Sequence, residues 1–191
     1  TIFTDRREII MKLSLVIPPS NEELNLPETL HAFHQKLQQE QIDHELLVVN
    51  DNSKDNTVGL LEEMMKTMPS LRYVNNKPPN GFGYCVRTGL EHFTGDCVAI
   101  VMADLSDSPE DLVAFYRKMT EGNYDCVFGS RFMKGGKTKG YPRLKRFINR
   151  MANNLVRITF GFRYKDCTNA FKLYKKETIE GLKPFLAPDF N

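Results

Sequence analysis

Apolar runs that stop abruptly in polar groups set the pattern of this chain. LVIPPSNEE (15–23), LLVVNDNSKDNT (46–57) and CVAIVMADLSDSPEDL (97–112) each pass from a short apolar run into carboxylate, amide or hydroxyl side chains; CVFGSRF (126–132) ends in Gly-Ser-Arg. Continuous apolar runs of this kind read as parallel strands buried on both faces, their carboxyl ends opening on a ligand crevice. The pattern predicts strands at 12–17, 45–50, 71–75, 97–102 and 125–129. Helices are expected over 27–39, 57–68 and 109–121, with another opened by the glycine loop 80–83 and running to about 94. Pro27 and Pro109 suit first helical turns. Asn25 is a candidate cap for the first helix, Asp107 or Ser108 for the fourth, and Gly95 is placed to close the third. The β-α-β-α order predicts an α/β fold with three α/β/α layers and a mostly parallel open sheet.

After Arg131 the pattern changes. Residues 134–142 form a Gly- and Lys-rich loop, and 143–160 read as one helix with Leu144, Phe147, Ile148, Met151, Leu155 and Ile158 at helical spacing. The expectation is that this apolar stripe packs on the sheet while Lys145, Arg146, Arg150 and Arg157 face solvent. A strand at 168–174 and a short helix ending near Pro184 follow. No repeat, low-complexity tract or linker divides the chain.

At 191 residues the chain suits one domain with a substantial core. With 26 basic and 24 acidic residues the total charge names no partner, and no nucleic-acid partner is expected. Its distribution says more: 131–165 holds no Asp or Glu but many Lys and Arg. Such a stretch makes a positive field suited to phosphates or a peripheral, anionic membrane surface, the plain alternative being a solvated helix face. Cys85, Cys97, Cys126 and Cys167 show neither C-x-x-C pairing nor zinc spacing, which predicts a reduced, cytoplasmic setting. Cys97 and Cys126 open strand-like runs and are expected in the core. No apolar run approaches the roughly 18 residues that span a bilayer. Residues 1–10 lack a signal-like apolar stretch and read as an N-terminal extension, with Met11-Lys12 a natural start.

Three segments carry candidate chemistry. The loop NGFGYCVRTGL (80–90) has a lone G-x-G, weak as a dinucleotide fingerprint and equally explained by close backbone approach. Asp51 ends the second strand; it either forms a turn or accepts hydrogen bonds from a base or ribose. Asp104 follows the most apolar strand, and helix capping explains Asp107 to Asp111 but not Asp104. A carboxylate there could hold Mg²⁺ or Mn²⁺ on a diphosphate. His31, His34, His44 and His92 read as helix-face or turn residues.

Read in order, these segments resemble the family 2 glycosyltransferases, most closely the polyprenol-phosphate (dolichol-phosphate) mannose or glucose synthases. The V-I-P-x-x-N-E pattern is matched by Val16 to Glu22, V-V-D-D-G-S by Val48 to Ser53, D-x-D by Met102-Ala103-Asp104, G-S-R by Gly129-Ser130-Arg131, and D-x-T-S-G-F by Asp166 to Phe171. The resemblance implies the GT-A fold, a nucleotide-diphosphate sugar such as GDP-mannose or UDP-glucose as donor, and an inverting transfer of a hexose to a polyprenyl phosphate. It implies that Pro18, Glu22, Asp51 and Ser53 bind the nucleotide-sugar and that Asp104 holds a Mg²⁺ or Mn²⁺. Arg131, Lys145, Arg146 and Asn149 would hold the acceptor phosphate, Asn149 standing where Ser is usual. Residues 11–191 would be the catalytic domain, C-terminally truncated because its closing part is absent.

Met102 departs from the metal motif, since a thioether is a poor ligand for hard ions. Asn50 and Asn52 are softer departures. Catalysis would need positioning and electrostatics from Asp104 and Arg131, because a phosphate acceptor is already anionic. Two alternatives stay open: transfer to a glycan hydroxyl, for which Asp166 is the candidate catalytic base, and a non-catalytic nucleotide-sugar binder.

Overall fold

The computed structural model describes residues 10–130, 143–161, 164 and 166–185, and of 143–146 the backbone alone. Among the described residues six strands and six helices follow the predicted order, the last strand shorter than the expected 168–174: β1 (Leu13–Ile17), α1 (Leu26–Gln39), β2 (His44–Asn50), α2 (Thr57–Met65), β3 (Leu71–Asn75), α3 (Phe82–His92), β4 (Cys97–Ile100), α4 (Pro109–Gly122), β5 (Cys126–Phe128), α5 (Arg143–Phe160), β6 (Lys172–Lys175) and α6 (Lys176–Glu180).

The strands form one sheet in the order β3-β2-β1-β4-β6-β5. β1, β2, β3 and β4 pair in parallel, with Leu15 beside both Leu46 and Ala99. β6 runs antiparallel between β4 and β5. Every residue of β1, β2 and β4 is buried, as strands covered on both faces require. Side-chain alternation divides the core in two. Leu13, Leu15, Ile17, Leu46 and Val48 pack with Leu30 and Phe33 of α1, Leu61 of α2 and Leu112 of α4. Val16, Leu47, Val49 and Val98 face Cys85 of α3 and Ile179 of α6. α3 lies close on the sheet because Gly89 has no side chain; a Cβ there would sit 2.2 Å from Val16 Cγ1.

Several local expectations are corrected. Asn25 does not cap α1 with its side chain; its Nδ2 donates instead to Glu22 Oε2 at 2.9 Å. Gly95 does not close α3, which ends at His92; a Cβ on Gly95 would stand 2.5 Å from the Lys12 carbonyl, so its role is close approach to β1. Cys126 is exposed, because β5 is the sheet edge. His44 opens β2 and is buried, its Nε2 2.9 Å from His34 Nδ1.

The largest correction concerns α5. Its apolar stripe does not cover the sheet: Phe147, Ile148, Met151, Leu155 (67% exposed) and Ile158 (71%) face outward. Asn153, at 1%, is the buried polar residue of this helix. Its Oδ1 accepts the Cys167 N–H at 2.7 Å, and its Nδ2 donates to Thr168 Oγ1 at 3.0 Å. A polar side chain fastens α5 to the domain and leaves the apolar side bare.

Candidate functional site

The parallel strands change direction of progression between β1 and β4, the switch point at which open α/β sheets bind ligands beyond their carboxyl ends. A cavity lies there. Its wall is made by Pro18, Pro19, Ser20 and Glu22 after β1, Asp51 after β2, Phe82 and Cys85 on α3, and Met102, Ala103 and Asp104 after β4.

The loops that form it are braced. Asn21 N–H donates to Ser53 Oγ (3.1 Å) and Asn21 Oδ1 accepts Lys54 N–H (2.9 Å). Glu23 Oε2 likewise accepts Asn56 N–H (2.8 Å), and Glu23 N–H donates to Asp55 (3.2 Å). The Thr57 hydroxyl and the backbone around Asp55 hold its carboxyl below the usual range. Each of the three strand-end loops carries one residue in the left-handed region: Asn21 (φ 57°), Asn52 (φ 55°) and Leu105 (φ 55°). Asn tolerates that conformation better than other residues with a Cβ, which explains how Asn52 occupies the glycine position of the V-V-D-D-G-S pattern. Leu105 beside Asp104 has no such excuse, and holding it there costs on the order of 1 kcal/mol.

Asp51 is tied into this frame. Its Oδ2 accepts the Gly81 N–H at 2.8 Å and its Oδ1 accepts Asn76 Nδ2 at 3.0 Å. Burial, followed by a hydrogen bond to Asp51 and that residue's charge, pushes the Cys85 thiol up to about 12, so it stays a protonated donor. Asn76 is itself buried, with Oδ1 accepting Thr88 Oγ1 at 2.8 Å. Asn52 Nδ2 donates to Asn80 Oδ1 at 2.8 Å, joining the same cluster.

Asp104 is exposed, and its Oδ1 accepts the Ser106 N–H at 3.0 Å. Met102 N–H donates to Asp107 Oδ2 at 2.9 Å. Ser108 caps α4 by accepting the Asp111 N–H at 3.3 Å, one of the two candidates for that role. Among the described residues no group of three or more His, Cys, Asp or Glu could hold a metal ion. This donor set fits a divalent ion carried by one carboxylate, Asp104, with phosphate oxygens and water completing its shell.

The structure therefore brings Pro18, Glu22, Asp51 and Asp104 to one cavity. Ser53 does not line it; its hydroxyl braces the loop before α1. Asp166 lies outside it, 2% exposed, with Thr168 Oγ1 at 3.5 Å from its Oδ1. Asn149 is half-buried on α5. Arg131 and the side chains of Lys145 and Arg146 fall outside the described residues, as does the loop 134–142. Gly129 and Ser130, which lead into Arg131, leave β5 at the same carboxyl end of the sheet as Asp51 and Asp104, since β5 runs in the sense of β4. Phe82, Cys85 and Asn76 were not singled out from sequence. The glycine loop was the available signal for the first two.

Residues 14–182 match the model of glycosyl transferase family 2. The chain belongs to that family. It is 30% identical over 175 residues to the dolichol-phosphate mannosyltransferase of Pyrococcus furiosus, covering 91% of this chain and 49% of that protein. The fold matches the mannosyltransferase PcManGT of Pyrobaculum calidifontis, solved with GDP-Man and Mn²⁺, at a TM-score of 0.64 and 20% identity, over 91% of this chain and 47% of that one. It also matches the glucosyl-3-phosphoglycerate synthase of Mycobacterium tuberculosis, solved with Mn²⁺, UDP-Glc and phosphoglyceric acid, at 0.64 and 19%, over 87% and 57%. The sheet is thus of the GT-A kind, and the chain spans about half the length of the relatives it matches.

Proposed function

We propose that this chain forms the donor-binding part of a glycosyltransferase that moves a hexose from a nucleoside-diphosphate sugar to a polyprenyl phosphate, inverting the anomeric centre. The observation that carries the reading is the cavity at the ends of β1, β2 and β4, which joins a carboxylate suited to a base, Asp51, to an exposed one suited to a diphosphate, Asp104. Kinship with a dolichol-phosphate mannosyltransferase supports the acceptor class. Residues 11–191 act as the catalytic domain in this reading, with 1–10 as an extension.

Asp51 accepts a base N–H, and Pro18 and Glu22 wall the nucleoside. A Mg²⁺ or Mn²⁺ held by Asp104 would screen charge on the departing diphosphate. Arg131, Lys145, Arg146 and Asn149 orient the acceptor phosphate. One of its anionic oxygens attacks the anomeric carbon as the bond from that carbon to the diphosphate oxygen breaks, and the electron pair leaves with the nucleoside diphosphate. The nucleophile carries no proton, so no general base is required. The burial of Asp166 supports this acceptor over a glycan hydroxyl, which would need an accessible base.

The outward apolar side of α5, together with the basic stretch around it, supports a peripheral position on an anionic membrane, at its cytoplasmic face. Among the described residues no helix is long and apolar enough to cross a bilayer. The test is a donor screen: nucleotide sugars are incubated with a short polyprenyl phosphate, and formation of a charged glycolipid is followed. Transfer from none of the donors by the full-length protein overturns the enzyme reading. Met102 favours a second reading, a nucleotide-sugar binder without efficient transfer, which predicts nucleotide affinity indifferent to Mn²⁺.

A further inference from the structure

The ladder of β4 ends at Ile100, short of Asp104. From there the backbone is carried to the carboxylate by single ties. Val101 N–H donates to the Val16 carbonyl at 3.0 Å, and Met102 N–H to Asp107 Oδ2 at 2.9 Å. The buried Ala103 carbonyl accepts the Thr29 hydroxyl at 2.7 Å. That carbonyl shares its peptide plane with the Asp104 N–H, so the bond fixes the plane from which the Asp104 side chain departs. Just beyond, Leu105 sits in the left-handed region (φ 55°), a conformation that persists only where its surroundings hold it. Asp107 belongs to the same loop and moves with it. Thr29 does not: it is fully buried in the first turn of α1, whose Leu30, Phe33 and Leu37 are packed in the core.

We infer, resting on the donor-binding reading of the cavity, that Thr29 is a positioning residue for the diphosphate end of the site: its hydroxyl sets where Asp104 presents its carboxylate to a divalent ion. Thr29 does not line the cavity and acts only through the Ala103 carbonyl. The hydroxyl has one proton to donate. Its other neighbour, the Asn25 carbonyl, is further away at 3.1 Å and also accepts the Thr29 backbone N–H, so it keeps a donor without the hydroxyl. The nucleoside side of the cavity is independent of this side chain. Asn25 N–H and Leu26 N–H donate to the Glu22 carbonyl through the backbone, and Asp51 is held by Gly81 and Asn76. Removing the hydroxyl therefore separates the two halves of the site: Asp104 is loosened while Glu22 and Asp51 keep their ties.

Calorimetric titration with UDP and with GDP, each with and without Mn²⁺, tests this on the unaltered chain, Thr29→Val and Thr29→Ser. Thr29→Val keeps the branched shape and removes the donor, leaving the buried Ala103 carbonyl unpaired. It is expected to cut the gain in nucleotide affinity on adding Mn²⁺ by about tenfold, the lower end of what losing a supporting partner costs a metal site, and to leave the affinity without Mn²⁺ as it was. Thr29→Ser retains the hydroxyl and is expected to restore the gain. Both affinities are read on one preparation, so a fraction that fails to fold lowers the stoichiometry and not their ratio. Equal weakening with and without Mn²⁺ overturns the inference, because it makes Thr29 a support of the whole domain; so does a gain that Thr29→Val leaves unmoved or that Thr29→Ser fails to restore. An unaltered chain that binds nucleotide with no gain from Mn²⁺ also overturns it while leaving the nucleotide site standing. Binding of neither UDP nor GDP removes the donor-binding reading and the inference with it.

Discussion

Asn153 of α5 accepts the Cys167 N–H at 2.7 Å, across the connection that leads from α5 into β6. Its Nδ2 also reaches Thr168 Oγ1 and the Asn149 carbonyl. One amide therefore satisfies two chain segments at once and orients the whole helix. Asn153→Ala leaves the Cys167 and Thr168 backbone N–H groups without the Oδ1 acceptor they share, at an expected cost of about 2 kcal/mol. In a chain of this size that lowers the midpoint of thermal unfolding by roughly 4–8 °C. Asn153→Asp keeps the acceptor and is expected to lose less. Equal midpoints for Asn153→Ala and the unaltered chain would show that α5 is held by something else.

The orientation that Asn153 imposes exposes Leu155 and Ile158. If α5 lies on a membrane, these side chains enter the boundary while Arg150 and Arg157 meet lipid phosphates. The double variant Leu155→Glu, Ile158→Glu is expected to weaken sedimentation with phosphatidylglycerol vesicles by at least about tenfold, because each buried aliphatic side chain contributes roughly 1.5–3 kcal/mol. UDP affinity is expected to stay as it was, since neither residue lines the cavity. Undiminished vesicle binding by the double variant would count against this face.

The core of this molecule is legible in its sequence for a physical reason. β1, β2 and β4 are buried on both sides, so their apolar runs are unbroken and their polar ends mark the crevice directly. Asp51 and Asp104 could be placed by that rule; Pro18 and Glu22 came through the family resemblance. What hides from the sequence is set by tertiary contact. Nothing local says that β6 inserts antiparallel between β4 and β5. The period of α5 is equally strong whether its stripe faces the sheet or solvent; tertiary contacts such as that of Asn153 with Cys167 decide. The partners of Asp51 lie 25 and 30 residues away, at Asn76 and Gly81, and their convergence exists only once β3 and α3 are in place.

At the opposite sheet end from the cavity, Glu45 joins three elements. It accepts Ser14 Oγ and Thr94 N–H at 2.5 Å through Oε1, and Arg72 Nε at 2.8 Å through Oε2. Burial works against its charge, but the Arg72, Ser14 and Thr94 donors outweigh that and hold the carboxyl down at about 2, against an ordinary 4.5. A carboxyl depressed in the folded state stabilises fully above the unfolded value, and that contribution fades as pH falls from about 4.5 through about 2. The difference corresponds to about 3 kcal/mol. Urea unfolding between pH 6 and pH 2.5 is expected to show this loss, and Glu45→Gln to be less stable at pH 6 with a flatter dependence on acid. A slope unchanged by Glu45→Gln would move the acid sensitivity to another group.

Met102 and Asp104 sit two residues apart at the cavity wall, and only one of them offers oxygen. A divalent ion bound through a single exposed carboxylate depends on the diphosphate for most of its ligands, so metal and nucleotide bind as a pair rather than in sequence. Met102→Asp supplies the second hard ligand. Its backbone N–H still donates to Asp107, because that bond does not involve the side chain. The variant is expected to bind Mn²⁺ without nucleotide, readable by electron paramagnetic resonance. It is also expected to enlarge the gain in UDP affinity on adding Mn²⁺ by at least about tenfold, the scale on which even an outer-shell partner changes metal affinity. Asp104→Asn is expected to abolish whatever gain the unaltered chain shows. If Met102→Asp leaves both readouts unchanged, residue 102 does not face the ion position, and the substitution of Asp by Met in this chain carries no consequence for metal binding.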